Sequence, residues 1–308
     1  MLRGLIVGIL AVAAPAAGFA GSAAGGPPAG LGQLELSYTG TTTNWTQAPG
    51  RAEQATYDPC DPPASLVGMG VYVFNQLNPI TDPVSTFQLG RAWNVSVYPT
   101  DQIPGPPAPD STMQVADTRF GTTNDAYIGE STTCAAQANG LRYPSLTRRT
   151  VRRARTAARV SCPGNRSVLS GGGQVTGPHA SQRLVASSPF DSDDPGSKSD
   201  DGWRVAVDNL SKKRRKLTVF AVCSTTKGFR YASSGFRSKR RTRKHVATDC
   251  PAGTYIVGGG VTHSARFAKA TLVATRPVDL VGTGTWITEV DNLSRKRASG
   301  RSFAICHA

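Results

Sequence analysis

The side chains of this chain best equipped for chemistry are arginines and lysines, and they come in matched sets. Arg149, Arg152, Arg153 and Arg155 precede one cysteine-bearing strand, and Arg237, Arg240, Arg241 and Arg243 precede another at the same spacing. Lys212, Lys213, Arg214, Arg215 and Lys216 follow an Asp-Asn-Leu-Ser run at 208–211, while Arg295, Lys296 and Arg297 follow the same run at 291–294. A guanidinium fork matches the oxygens of a phosphate, sulfate or carboxylate, and such pairs are charge-assisted. The clusters are therefore candidate contacts for an anionic polymer: a cell-wall polymer, lipopolysaccharide or an acidic glycan. Affinity of that kind is mostly electrostatic and falls steeply with salt. The same runs also suit solvated linkers and hairpin tips, or a contact with the chain's own acidic first part. Recurrence at matching positions is what favours a ligand. Specific nucleic-acid recognition fits less well, because few aromatics for base stacking stand near the clusters and no binding motif is present.

Other chemistries find less support. His179, His245, His263 and His307 do not match between the two halves of the basic region: His263 aligns with Val175, and His179 with Phe267. No nucleophile elbow, metalloprotease helix motif or close carboxylate pair occurs. A non-enzymatic role is expected, with scattered catalytic residues of a hydrolase as the remainder. The acidic stretch Asp191–Asp201 could hold calcium, but it lacks the ligand order and glycine of an EF-hand loop, and the second copy deletes it. The glycine triplets at 171–173 and 258–260 are not followed by Lys-Ser/Thr, so they read as structural rather than as phosphate loops. Neither a cofactor nor a metal site is expected.

Charge is polarised. The net charge is +15, yet residues 1–140 carry 4 Lys/Arg against 10 Asp/Glu. The whole cationic excess lies beyond residue 140.

An internal repeat explains the matched sets. Shifted by 88 positions, Arg142-Tyr143 falls on Arg230-Tyr231, Cys162-Pro163 on Cys250-Pro251, and Leu184-Val185-Ala186 on Leu272-Val273-Ala274. After a loop deletion Trp203 matches Trp286, and Phe220-Ala221 and Cys223 match Phe303-Ala304 and Cys306. A fainter copy starts at Cys60, whose following residues align with those after Cys250, and ends at Cys134. Duplication of a self-contained unit selects one disulfide per copy: Cys60–Cys134, Cys162–Cys223 and Cys250–Cys306. Closing a loop of about 60 residues is worth roughly 4 kcal/mol in the chain-entropy model.

Short β-branched and aromatic runs such as 203–207 and 217–223 read as strands, and no amphipathic helix stands out. Asp-Asn-Leu-Ser reads as a turn, and the sequons at Asn209 and Asn292 coincide with it. The glycine pairs 171–172 and 259–260 suit a bulge or a close backbone approach. The expected fold is all-β: three tandem small β-sandwich or barrel modules at 33–138, 141–225 and 226–308. Residues 1–20 read as an export signal, with Arg3, an apolar run and a small-x-small site before Ala20. That run is short for a membrane span. Residues 21–32 read as a flexible leader.

The pattern Cys-Pro…Gly-Gly-Gly…Leu…Pro…Trp…Asn…Ala-x-Cys resembles modules of secreted bacterial proteins, closely over 141–308 and loosely over 31–135. The resemblance implies export and a β module and carries no activity with it. The resulting expectation is a secreted or cell-wall-associated binding protein, with a structural or adhesin-like spacer or a neutral-carbohydrate binder as the alternative.

Overall fold

The computed structural model describes residues 138–176, 182–192, 200–280 and 283–308, and six strand segments before them. The export signal, the leader, Cys60, His179 and the middle of the acidic stretch lie outside the described residues.

Every regular element described is a strand, as the patterning predicts. The early part holds β1 (Leu36–Trp45), β2 (Glu53–Tyr57), β3 (Ser65–Asn75), β4 (Arg91–Thr100), β5 (Asp110–Arg119) and β6 (Ala126–Ala135). The middle part holds β7 (Ser145–Arg149), β8 (Ala154–Ser161), β9 (Ser167–Val175), β10 (Gln182–Phe190), β11 (Gly202–Asn209) and β12 (Lys216–Ser224). The last part holds β13 (Phe229–Ser238), β14 (Thr242–Asp249), β15 (Tyr255–His263), β16 (Ala270–Leu280), β17 (Thr283–Asn292) and β18 (Ala298–His307).

One pairing scheme recurs in all three parts. The first, sixth and third strands form one antiparallel ladder (β1-β6-β3, β7-β12-β9, β13-β18-β15), and the fourth, fifth and second form another (β4-β5-β2, β10-β11-β8, β16-β17-β14). Left alone, each half-sheet would expose the unpaired edge of its third or fourth strand, an invitation to misassembly. Those edges pair across the parts instead. Val261 of β15 faces Ser187 of β10, and Val71 and Tyr72 of β3 face Thr275 and Ala274 of β16, producing two six-stranded sheets. β9 packs beside β4, which closes the ring by contact. Sheets thus run through more than one part of the chain, where the sequence alone suggests a closed sandwich or barrel for each.

The third strands meet at the centre, and a bulge shapes each of them. Register slips occur between Leu66 and Gly68, between Ile256 and Gly258, and opposite Val222/Cys223, which leaves Val67, Val257 and Leu169 as the extra residues. All three are fully buried in one core cluster. After two of the bulges the next residue, Gly68 or Gly258, meets a neighbouring backbone. A Cβ on Gly68 would come within 1.8 Å of the Val257 carbonyl oxygen, and one on Gly258 within 2.2 Å of the Leu169 oxygen. Glycine is obligatory at such an approach.

The next glycines serve the tryptophans. A Cβ on Gly171 would sit 2.3 Å from Cγ of Trp203, and one on Gly259 would sit 2.4 Å from Cδ2 of Trp286. Both indoles are buried and donate from Nε1 at 2.9 Å, Trp203 to Ser187 Oγ and Trp286 to Thr275 Oγ1. A buried indole N–H without an acceptor would be costly, so the paired hydroxyl is part of the packing.

Disulfides join Cys162 to Cys223 and Cys250 to Cys306, and Cys134 is also disulfide-bonded. Because every joining ladder is antiparallel, the three parts share one polarity. The described turns after first, third and fifth strands lie at one end. The two described bridges lie at the other.

Candidate functional site

The basic clusters occupy the turn end, and the local sequence explains the shape of those turns. Asn209 is fully buried; its Nδ2 donates to Lys213 O (2.8 Å), Thr150 Oγ1 (3.0 Å) and Val151 O (3.1 Å), and its Oδ1 accepts from Ser211 N (3.0 Å). Asn292 repeats this, donating to Lys239 O (2.9 Å) and Lys296 O (3.0 Å) and accepting from Ser294 N (3.0 Å). One amide side chain therefore ties the turn after the first strand to the turn after the fifth. The two basic runs of each set become neighbours: Thr150 N donates to Arg215 O at 2.8 Å, and Arg215 N to Thr150 Oγ1 at 2.9 Å.

Arg153 and Arg241 hold corresponding places in these turns. Both adopt left-handed backbone conformations, with φ of 48° and 53°, and both donate their N–H to the turn serine's carbonyl, Ser211 O at 3.2 Å and Ser294 O at 3.1 Å. For an L-residue that conformation costs about 1–2 kcal/mol, which glycine would avoid. Arginine stands there in both sets.

Not every arginine of the sets faces outward. Arg155 donates from Nε to Asp208 Oδ1 (2.7 Å) and from Nη2 to Oδ2 (3.0 Å), and Asp208 is fully buried. Arg243 does the same to Asp291, at 2.9 and 3.1 Å, with Glu289 at 3.9 Å. Burial alone would lower the Arg243 pKa, but the bonds to Asp291 and the fields of Asp291 and Glu289 outweigh it and hold the pKa above its ordinary value. These two forks are occupied within the fold and position the turns rather than a ligand. The remaining candidates are exposed, except the half-buried Arg215. Arg149 stands opposite Lys216 across the β7–β12 ladder, a like-charge pairing that disfavours the sheet.

A groove of about 610 Å³ lies among the turns of the last part, lined by Arg241, Arg266, Lys269, Arg295, Lys296 and Arg297 with Ser264 and Ser294. A second of about 650 Å³, lined by Lys239, Arg240, Thr242, Arg295 and Arg297, adjoins it through the shared arginines. Among the described residues no carboxylate lines either groove, so the six cations of the first create a strongly positive field.

Arg266 and Lys269 were invisible to the repeat comparison. They belong to loop 264–269, whose counterpart in the middle part, 176–181, carries neither Lys nor Arg. A cross-chain brace holds this loop. Ala268, itself left-handed at φ 59°, donates its N–H to Asp208 Oδ2 at 2.7 Å and accepts at its carbonyl from Arg183 Nη1. His263 sits beneath the loop, stacked on Phe236 at 6.0 Å, bonded to Ser238 Oγ at 3.1 Å, and accepting Ala265 N–H at Nδ1 at 3.3 Å. Burial, helped by the charge of Arg155, lowers its pKa to about 4.

The other histidines play separate parts. His245 pairs with Glu289 at 3.1 Å on the surface, and His307 is bonded to Lys227 O at 2.9 Å and lies edge-on to Phe229. Asp201 accepts from both Ser192 N and Ser192 Oγ, bracing the ends of the acidic stretch. Among the described residues no helix is long and apolar enough to cross a membrane. No protein-family model matches the chain, and no curated protein matches it either.

Proposed function

We propose that the chain is three tandem copies of one six-stranded unit, exported from the cell, and that it acts as a non-enzymatic binding protein. Its basic end contacts an anionic polymer, such as a cell-wall polymer, lipopolysaccharide or an acidic glycan. The observation that carries this reading is the groove at Arg241, Arg266, Lys269 and Arg295–Arg297, whose described lining holds six cations and no carboxylate. Two costly features support it. Arginine is kept in a strained conformation at Arg153 and Arg241, and strained residues tend to mark functional sites. Like charges also face each other at Arg149 and Lys216.

Two adjoining basic sets on one end would engage one long polyanion together and gain avidity from the linkage. Disulfides fit an oxidising, extracellular setting. A heparin-agarose column with a salt gradient tests the reading. Charge reversal of Arg295, Lys296 and Arg297 to Glu should bring elution to markedly lower salt, because each lost phosphate or sulfate contact reduces the salt slope. Elution of the native protein no later than a control of equal net charge would overturn the proposal.

A further inference from the structure

Three large apolar side chains are exposed among the described residues: Leu146 (46%), Val151 (54%) and Phe267 (37%). Two of them stand at the basic end. Val151 lies between Arg149 and Arg152, and Phe267 between Arg266 and Lys269.

Their placement is fixed by consecutive residues of β11. Asn209 Nδ2 donates to the Val151 carbonyl at 3.1 Å, and Asp208 Oδ2 accepts the N–H of Ala268, the residue after Phe267, at 2.7 Å. Consecutive strand side chains leave on opposite faces, so the Val151 turn and the Phe267 loop flank the end of β11 from two sides. Both are held firmly. Val151 N donates to Thr156 Oγ1 at 2.9 Å, and Arg183 grips the Ala268 carbonyl. Little ordering is then needed on contact, which favours binding.

Apolar tips flanked in sequence by cations are more than a soluble polyanion requires. A cell-wall polymer or an acidic glycan offers no hydrocarbon for Phe267 or Val151 to enter, unlike the acyl chains of a lipid. An anionic bilayer offers both partners: headgroup phosphates for the cations, and the boundary with the acyl chains for the apolar tips. We propose that the basic end docks onto an anionic lipid bilayer with Val151 and Phe267 inserted at the headgroup level. This rests on reading that end as an anion-binding face and names its partner as a membrane surface.

Co-sedimentation of the full chain with vesicles tests it. Vesicles of phosphatidylglycerol and phosphatidylcholine should pellet the protein, and pure phosphatidylcholine vesicles should leave it in solution. The double variant Val151→Ser, Phe267→Ser should keep its heparin elution position while its vesicle partition falls about tenfold, as expected for removing two apolar contacts. Phe267→Trp should show a blue-shifted emission difference with anionic vesicles and none with heparin.

Retention on heparin without pelleting by anionic vesicles would overturn the membrane proposal and leave the polymer reading standing. Full vesicle partition by the double serine variant would also overturn it. Failure to bind either heparin or vesicles would instead remove the anion-binding face itself.

Discussion

Asp208 accepts the backbone N–H of Ala268 at 2.7 Å across 60 positions of sequence, while its two oxygens also take the fork of Arg155. One buried carboxylate therefore holds a turn of the middle part and a loop of the last part together. Asp208→Asn keeps the shape but leaves the Arg155 charge facing a neutral amide. The Arg155 side chain is 30% exposed and keeps part of its hydration, so we expect a loss of about 1–3 kcal/mol from the weakened charged hydrogen bonds. Urea unfolding of the variant against the native protein measures it.

Arg241→Gly should act in opposite directions on stability and binding. Glycine relieves the left-handed strain at φ 53°, a gain of up to about 1 kcal/mol after its greater chain entropy is counted. The same change removes a cation from the groove. The expected outcome is a melting temperature equal to or above the native one, with elution from heparin at lower salt. Binding and stability falling together would show that the arginine is there for the fold.

His263 predicts an acid limb of stability. In the unfolded chain a histidine titrates near 6.5, whereas in the fold His263 is held neutral down to about 4. Above pH 6.5 neither state takes a proton, and stability is intact. As the pH falls from 6.5 towards 4 the unfolded state protonates and the native state does not, so stability drops, by on the order of 3 kcal/mol in full. His263→Val places there the residue that the middle part carries as Val175, itself buried. Denaturation midpoints between pH 4 and 7 should fall less steeply for the variant than for the native protein.

Gly171→Ala tests the tryptophan seat. The added methyl meets Trp203 Cγ at 2.3 Å and Phe220 O at 2.5 Å, so either the ring or the strand must shift. Overpacking of this kind costs about 1–3 kcal/mol. Gly235→Ala, where nothing lies within 4 Å of the new methyl, is the control and should leave the melting temperature nearly unchanged.

Much of the fold was legible because identical local needs recur. Cys162 with Cys223 and Cys250 with Cys306 follow from duplication, and Asp-Asn-Leu-Ser reads as a turn because a buried asparagine amide must find several partners at once. The glycine pairs 171–172 and 259–260 read as a bulge or a close approach; they make the close approach, and the bulge falls two residues earlier, at Leu169 and Val257. The joining of β15 to β10 and of β3 to β16 was not legible, since an edge strand carries no mark of which other edge completes it. Arg266 and Lys269 were missed for a related reason. They join the groove through Asp208, far away in sequence, and repeat matching is blind to a residue present in one copy only. Arg155 and Arg243 look like their exposed neighbours in sequence; only the antiparallel register against Asp208 and Asp291 reveals that their charges are already answered.

The shared polarity of the strands also decides how the molecule can be held. β1 begins, and β18 ends, at the pole where the bridges of Cys162 and Cys250 lie. An affinity handle fused after Ala308 would leave from that pole, so a protein anchored to a sensor chip by such a handle would turn its arginine-rich pole towards the flowing solution.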